Sequence, residues 1–219
     1  MGEQMNYEKL DKYPHPLKAF RDCKAKQFPE CEFYKRYDTY VRHCIEQVNV
    51  DGLWLEFGVC TGASSEEIIK MMPPKKTLYG FDWFQGLPET WVISPKNVKF
   101  KGELFGSVAG KIPDLDRLEI VDGLFEETLP TFIENNENNV AFMHVDCDLY
   151  SSTKTIFKYL KNRLIPGTII LFDELYNYPN YHLHEYKAFM EHVTENEVNF
   201  EWIAYVGGPT GDKAACKIL

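Results

Sequence analysis

Acidic residues stand at or near the ends of several short apolar segments of this chain. They are Glu56, Asp82, Asp122, Asp146 and the pair Asp173-Glu174. In open α/β sheets, ligands bind outside the carboxyl ends of the strands, so carboxylates along that rim predict a binding cleft. An acid at the end of a strand can also cap a helix or form a turn, so each position alone is weak evidence.

Three of these carboxylates predict a metal site. Asp146 ends one apolar segment, and Asp173 and Glu174 follow the next. Carboxylates that meet at one point repel each other unless a cation neutralises them. All-oxygen ligands favour Mg²⁺ or Ca²⁺ over zinc, and such an ion could bind an acceptor oxygen, lower its pKa and orient it. Asp146 could also serve as a general base. In the alternative, Asp146 and Asp173 bond to loop N–H groups and hold no metal.

A glycine-rich turn follows the first of the apolar segments. Glu56-x-Gly58-x-x-x-Gly62 leads through Ser64 into a predicted helix, whose N–H groups would face a ligand. The spacing is neither that of dinucleotide-binding proteins nor that of a P-loop, so a pyrophosphate fits poorly. A ligand with a carboxylate and an ammonium group, such as the methionine end of S-adenosylmethionine, suits this turn. The alternative is an ordinary tight turn between a strand and a helix.

Two further positions suit the nucleoside part of the same ligand. Asp82 ends the second apolar segment, where an acid can accept hydrogen bonds from ribose hydroxyls. Asp122 and Gly123 follow the third segment and could lie under an adenine, with Asp122 accepting from its amino group. Asp82 could instead cap a turn, and Asp-Gly is equally common in ordinary turns.

The elements that would position these residues alternate along the chain. Apolar runs predict strands over 53–57, 77–81, 118–121, 140–145, 168–172, 200–206 and 214–219; helical spacing predicts helices over 33–48, 64–72, 125–135, 153–164 and 184–193. This order predicts an α/β fold, a Rossmann-like doubly wound, mostly parallel seven-stranded sheet. The last two strands have only a loop between them and should form a C-terminal antiparallel hairpin.

The segment from 83 to 112 is irregular and rich in aromatic residues, which favours a lid over the cleft. Aromatic faces can stack on a sugar or an adenine, although filling a local core is an equally good interpretation. Its aromatic residues are Trp83, Phe84, Trp91, Phe100 and Phe105.

Composition excludes several classes of function. The 219 residues carry a formal net charge of −9, which opposes binding to nucleic acid. No apolar run is long enough to span a membrane, and the N-terminus does not have the pattern of a secretion signal. The six cysteines are scattered, which is typical of reduced thiols in a cytoplasmic protein, and a structural disulfide is the less favoured alternative. A homodimer is compatible with the sequence.

Longer motifs around these residues resemble a known family. Glu56-x-Gly58-x-x-x-Gly62 followed by Gly80-Phe81-Asp82 is similar to the cofactor half of class I methyltransferases. The stretches 81–89 (FDWFQGLPE) and 144–153 (HVDCDLYSST) resemble the macrocin O-methyltransferase family, which methylates sugar hydroxyls.

The resemblance implies S-adenosylmethionine as cofactor and a Mg²⁺-dependent O-methyl transfer. It places the metal ligands on Asp146, Asp173 and Glu174, the last of which is usually Asp in the family. Leu149 stands where catechol methyltransferases have a lysine base, so catechol acceptors are not favoured.

The sequence therefore predicts an N-terminal helical cap over residues 1–50 and a class I methyltransferase domain over 51–219. The predicted activity is O-methylation of a small molecule such as a sugar or another polyol. A methyltransferase fold that acts only as a binding or scaffold subunit is the alternative. An NAD-dependent oxidoreductase is the least favoured of the three functions, because the glycine spacing does not suit that cofactor.

Overall fold

The computed structural model describes residues 32–94, 96–102, 111–176, 178–207 and 212–219. The strands are β1 (Glu32–Tyr34), β2 (Leu53–Phe57), β3 (Leu78–Asp82), β4 (Trp91–Ser94), β5 (Asn97–Lys99), β6 (Leu118–Asp122), β7 (Val140–Val145), β8 (Leu164–Tyr176), β9 (Phe200–Val206) and β10 (Asp212–Ile218). The helices are α1 (Tyr37–Glu46), α2 (Ala63–Met71), α3 (Phe125–Asn135), α4 (Tyr150–Leu160) and α5 (Glu185–Glu195), and a short 3₁₀ helix spans Tyr181–Leu183. None of the described helices combines the length and the apolar character needed to cross a membrane.

Eight strands form one sheet in the order β1-β9-β10-β8-β7-β2-β3-β6. Neighbouring strands are parallel except around β10, which runs antiparallel to both β8 and β9. The predicted α/β class, the mostly parallel sheet and the C-terminal hairpin of β9 and β10 are confirmed.

The sheet has one strand more than the seven expected. The extra strand, β1, lies in a segment whose spacing predicted the start of a helix at Phe33, whereas α1 begins at Tyr37. In β1, Phe33 lies opposite Tyr205 of β9, and the two rings pack with centroids 5.1 Å apart. This strand depends on a partner far along the chain, so local periodicity could not indicate it. Residues 1–31 of the predicted cap lie outside the described residues.

Helices cover both faces of the sheet, as its parallel strands require. Every residue of β2 and β7 is buried. One apolar cluster joins the sheet to α3, α4 and α5, for example through Leu129, Phe157 and Phe189. A second cluster joins the opposite face to α1 and α2 through Val41 and Ile68. The sheet is therefore doubly wound.

The strand register aligns the carboxyl ends of the central strands. Phe57 of β2 lies opposite Phe81 of β3 and Val145 of β7, and Val145 lies opposite Phe172 of β8. Each of these residues directly precedes a residue that the sequence singled out: Gly58, Asp82, Asp146 and Asp173. Asp82 lies opposite Asp122 of β6. The predicted site residues therefore share one edge of the sheet.

Strand β8 is longer than predicted. It begins at Leu164, where the sequence predicted the end of a helix, and it continues to Tyr176. Asp173 and Glu174 consequently lie within the strand and not beyond its end. Since successive side chains of a strand point to opposite faces of the sheet, these two acids face different sides.

The irregular segment after β3 contains structure that the sequence did not predict. Strands β4 and β5 pair as an antiparallel hairpin. Trp91 and Ile93 of β4 pack with Leu87, Leu149 and Tyr178 in a small core of their own. This hairpin is thereby fixed over the carboxyl edge of the sheet, beside the predicted site.

Candidate functional site

The turn between β2 and α2 packs closely against the end of β7. Gly58 has a φ of +94°, and a Cβ atom there would lie 1.8 Å from the backbone oxygen of Asp146. Only glycine fits this position. Gly62, with a φ of +80°, precedes α2, and a Cβ atom there would lie 2.8 Å from the side chain of Pro113. The two predicted glycines are thus each required by backbone conformation and by space.

Asp82 holds this turn in place. Its Oδ2 accepts hydrogen bonds from the N–H groups of Val59, at 2.8 Å, and Cys60, at 2.7 Å. Burial raises the pKa of Asp82, although these N–H groups oppose the increase. Asp82 also lines the larger of the two cavities described below. The carboxylate is therefore both a support for the turn and a wall of the site.

Glu56 is buried in a hydrogen-bond network and does not face a cavity. Its Oε2 accepts a hydrogen bond from the Ser65 hydroxyl, and its Oε1 lies 3.0 Å from Nδ1 of His144. The Nε2 atom of His144 lies 3.4 Å from the hydroxyl of Tyr37 and 3.9 Å from Oδ1 of Asp173. This network links the start of α2 to β7 and β8. The sequence reasoning identified Glu56 but missed Ser65 and His144.

Two cavities meet at this edge of the sheet. The larger has a volume of about 490 Å³, and the predicted site residues that line it are Gly58, Asp82, Gly123, Asp146 and Glu174. The smaller has a volume of about 400 Å³ and is lined by Ser64, Asp146 and Asp173. Cys60 and Asp146 line both cavities. Three predicted residues line neither: Glu56, Gly62 and Asp122.

Asp122 is exposed beside Asp82, and its carboxylate contributes to raising the pKa of Asp82. Gly123 lines the larger cavity and donates its N–H to the backbone oxygen of Asp82 at 3.0 Å. Gly123, after the end of β6, therefore forms part of the cavity wall, whereas Asp122 lies just outside the cavity.

The predicted lid contributes part of the cavity wall. Trp83 and Phe84 line the larger cavity, with Leu87 and Trp91. Trp91 is only 2% exposed, so it packs in the local core and also forms part of the cavity wall. Phe100 is exposed and does not line either cavity, and Phe105 lies outside the described residues. The segment is therefore partly a wall and partly a small core.

The acids around Asp146 form two groups. In one, ligand atoms of His144, Asp146 and Asp173 lie within 4.8 Å of one another; in the other, those of Asp146, Asp148 and Glu174 do. Burial, and then the charges of Asp173 and Glu174, raise the pKa of Asp146 well above its usual value. Burial and Glu174 do the same for the pKa of Asp148. Asp146 is common to both groups.

Two charged residues that the sequence reasoning missed complete this region. Lys213 of β10 forms an ion pair with Oδ1 of Asp173. Burial alone would lower the pKa of Lys213, but Asp173 raises it above its usual value. Glu185, at the start of α5, accepts hydrogen bonds from the N–H groups of Cys147 and Asp148, each at 3.1 Å. Burial, and then the charge of Glu174, raise the pKa of Glu185 to about 8.

Comparison with known proteins identifies the family. Residues 55–175, more than half of the chain, match a family described as a methyltransferase domain. The chain belongs to this methyltransferase family. The matched region of the methyltransferase runs from β2 to β8 and so contains the glycine turn, Asp82 and the acids around Asp146. The prediction of a methyltransferase is confirmed. No curated protein is significantly similar in sequence.

Solved structures share the fold of this methyltransferase. The calicheamicin methyltransferase CalS11 is 20% identical with a TM-score of 0.64, and the match covers 98% of this chain and 86% of CalS11. The O-methyltransferase NovP is 20% identical with a TM-score of 0.57, over 82% of this chain and 78% of NovP. An O-methyltransferase from Bacillus cereus, solved in complex with SAH, is 14% identical with a TM-score of 0.55, over 93% and 90% of the two chains.

Proposed function

We propose that this methyltransferase transfers the methyl group of S-adenosylmethionine to a hydroxyl group of a small molecule, such as a sugar or a glycosylated metabolite. The observation that carries the proposal is the common register of β2, β3 and β7, which brings Gly58, Asp82 and Asp146 to one cavity. CalS11 is described as a TDP-rhamnose 3'-O-methyltransferase, and a sugar acceptor is also what the macrocin-like motifs of this chain imply.

The cofactor would lie along the glycine turn. Asp82 and Gly123 line the part of the larger cavity that also contains Phe125, where a ribose and an adenine would fit. Gly58 lets the backbone approach the sulfonium end, while Gly62 and Ser64 start the helix whose N–H groups face the methionine carboxylate. Glu56 would contribute by fixing the turn, since Ser65 and His144 engage both of its oxygens. Asp122 would approach the adenine from the exposed rim.

Asp146 is the proposed catalytic residue. It lies where the two cavities meet, so a hydroxyl beside it could face the cofactor. The acceptor oxygen attacks the methyl carbon, the bond from carbon to sulfur breaks, and the hydroxyl proton passes to the Asp146 carboxylate. Trp83 and Leu87 help to exclude water from the reaction.

The carboxylates around Asp146 fit a hard divalent cation such as Mg²⁺. They offer oxygen ligands only, and a neighbouring buried carboxylate oxygen, Oε2 of Glu185, has no hydrogen-bond partner in the described part of the chain. Asp146 and Glu174 would hold the ion, and Asp173 is the third ligand expected from the sequence. When bound, the ion would lower the pKa of the acceptor hydroxyl. A cytoplasmic location and a homodimer stay predictions.

A transfer assay with methyl-labelled S-adenosylmethionine and a panel of nucleotide sugars and glycosides tests this function. The unaltered protein should label at least one acceptor, and Asp146→Asn should lose most of that activity, by about a hundredfold or more for a general base. Glu137→Gln changes an exposed acid far from the site and is the matched control. Cofactor binding without transfer to any acceptor would favour a scaffold role instead.

A further inference from the structure

Tyr37, the first residue of α1, stands at the end of a buried chain of hydrogen bonds that begins beside the glycine turn. Its hydroxyl lies 3.4 Å from Nε2 of His144, and Nδ1 of His144 lies 3.0 Å from Oε1 of Glu56. Glu56 and His144 are buried at opposite positions of β2 and β7, whereas Tyr37 lines the smaller cavity. Glu56, which lines neither cavity, is thereby connected to the wall of one.

The direction of these hydrogen bonds determines what Tyr37 can offer to a ligand. Oε2 of Glu56 accepts from the Ser65 hydroxyl, and a carboxylate is an acceptor at its second oxygen as well, so Nδ1 of His144 is the donor to Oε1. In a neutral imidazole the other nitrogen, Nε2, is then an acceptor, and the Tyr37 hydroxyl donates to it. Oδ1 of Asp173 lies 3.9 Å from Nε2, too far for a hydrogen bond. The phenol oxygen therefore presents only lone pairs to the cavity and can accept from a ligand but not donate to it.

The smaller cavity has partners for both charges of an amino acid. Ser64 lines it from the first turn of α2, and the N–H groups of that turn suit a carboxylate. Because the phenol oxygen of Tyr37 is an acceptor, it suits a donor such as an ammonium group. The charged residues on the wall are three acids and one lysine: Glu67, Asp146, Asp173 and Lys213. The methionine end of S-adenosylmethionine carries its carboxylate and its ammonium group on one carbon atom, so both can be bound here together.

Packing fixes the position of the Tyr37 side chain. Val41 and Cys44 of α1 are completely buried in the apolar cluster that also contains Ile68 of α2. The Tyr37 ring packs against this cluster, and its centroid lies 6.2 Å from that of Tyr40. A group that is held in place before binding loses little conformational freedom when the ligand arrives. The phenol oxygen is therefore prepared to bind.

We propose that Tyr37 recognises the ammonium group at the methionine end of S-adenosylmethionine through its phenol oxygen, and that His144 and Glu56 are positioning residues that keep this oxygen an acceptor. The proposal rests on the cofactor binding proposed above. Tyr37 precedes residues 55–175, the region that matches the methyltransferase family. Helix α1 would thus contribute a contact with the cofactor from outside the matched region.

Calorimetric titration of the full chain with two ligands tests this contact. The ligands are S-adenosylhomocysteine and its deamino analogue, in which a hydrogen atom replaces the amino group. Tyr37→Phe removes only the phenol oxygen and should weaken binding of S-adenosylhomocysteine by about tenfold, as expected for a hydrogen bond to a charged group. Binding of the analogue should change by less than about twofold, because it lacks the group that Tyr37 recognises. Tyr34→Phe, against the same apolar cluster but outside both cavities, is the matched control.

The variant His144→Gln tests the positioning role. It removes the ring that orients the Tyr37 hydroxyl, so it should weaken binding of S-adenosylhomocysteine by about threefold or more. In the double variant Tyr37→Phe/His144→Gln the second change should have little further effect, because the oxygen that His144 positions is already absent. Thermal unfolding of each variant shows that the proteins compared are folded.

The outcomes separate this proposal from the proposed function. Equal weakening of both ligands in Tyr37→Phe, or no weakening of S-adenosylhomocysteine, would overturn the ammonium contact while cofactor binding itself stands. Additive effects of the Tyr37 and His144 changes would overturn the positioning role. If the unaltered protein does not bind S-adenosylhomocysteine, the proposed function fails and the contact fails with it.

Discussion

The buried carboxylate of Glu56 hydrogen-bonds the imidazole of His144 across two neighbouring parallel strands, with Oε1 and Nδ1 3.0 Å apart. The same carboxylate accepts a hydrogen bond from Ser65 in the first turn of α2. One side chain thus links the glycine turn between β2 and α2 to β7, the strand that leads into Asp146. The geometry of the turn and the position of Asp146, the proposed catalytic residue, are therefore linked through Glu56.

The adjacent residues Ser65 and Ser64 are expected to have different roles: Ser65 supports the turn, and Ser64 contacts the cofactor. Ser65→Ala leaves a buried oxygen of Glu56 without its donor and should reduce the free energy of unfolding by about 1–3 kcal/mol. Ser64→Ala, on the half-buried wall of the smaller cavity, should leave stability nearly unchanged but weaken binding of S-adenosylhomocysteine. Urea unfolding and calorimetric titration measure the two effects. Equal stability of the two variants would contradict the supporting role of Ser65.

Gly58 is expected to tolerate no side chain. In Gly58→Ala the new Cβ atom would clash with the backbone oxygen of Asp146, in addition to the strain of a positive φ. The control Gly102→Ala also has a positive φ, of +76°, but its Cβ would meet no atom within 4 Å. Gly102→Ala should cost about 1–2 kcal/mol from φ alone. Gly58→Ala should cost clearly more, as thermal unfolding would show, and similar costs at both positions would contradict the close packing of the turn.

His192 should make the protein sensitive to acid. Burial, and then the charges of Lys154 and Lys161, lower the pKa of His192 to about 4, although Glu195 opposes them. The folded state therefore favours the neutral ring, which stacks on Phe157 with centroids 4.6 Å apart. Its contribution to stability is complete above the unfolded-state pKa of about 6.5 and is lost as the pH falls toward 4.

Urea unfolding between pH 7 and pH 4 measures this effect as the difference between the unaltered protein and His192→Gln. The variant should be less stable at pH 7, and its disadvantage should shrink by about 1–3 kcal/mol as the pH falls, because its side chain does not titrate. A difference that stays constant with pH would show that His192 does not titrate abnormally.

Local sequence patterns were sufficient to predict most strands of the sheet. The apolar runs of β2, β3, β6 and β7 are buried or partly buried strands of a parallel sheet. Asp82, Asp122 and Asp146, at the ends of β3, β6 and β7, share one edge because parallel strands end on the same side. Gly58 and Gly62 could be recognised because a sharp turn into a helix requires glycine. These features depend on residues close together in sequence.

The features that the sequence did not predict depend on contacts between segments that are distant along the chain. Lys213 meets Asp173 only because β10 lies beside β8, and Glu185 reaches Asp148 only because α5 packs against α4. The extra strand β1 forms by pairing with β9, which lies far along the chain. The sequence placed Asp173 and Glu174 after a strand end, so it could not indicate that they face opposite sides of the sheet.

Calorimetric titration with S-adenosylhomocysteine tests most directly whether the aligned strand ends form one cofactor cleft. The unaltered protein should bind one equivalent with a dissociation constant of about 1–100 µM. Asp82→Ala, which removes both the proposed ribose acceptor and the support of the turn, should abolish binding, and Glu137→Gln should bind normally. If the unaltered protein shows no binding at millimolar ligand, or Asp82→Ala binds as well as it does, the cleft is not the cofactor site.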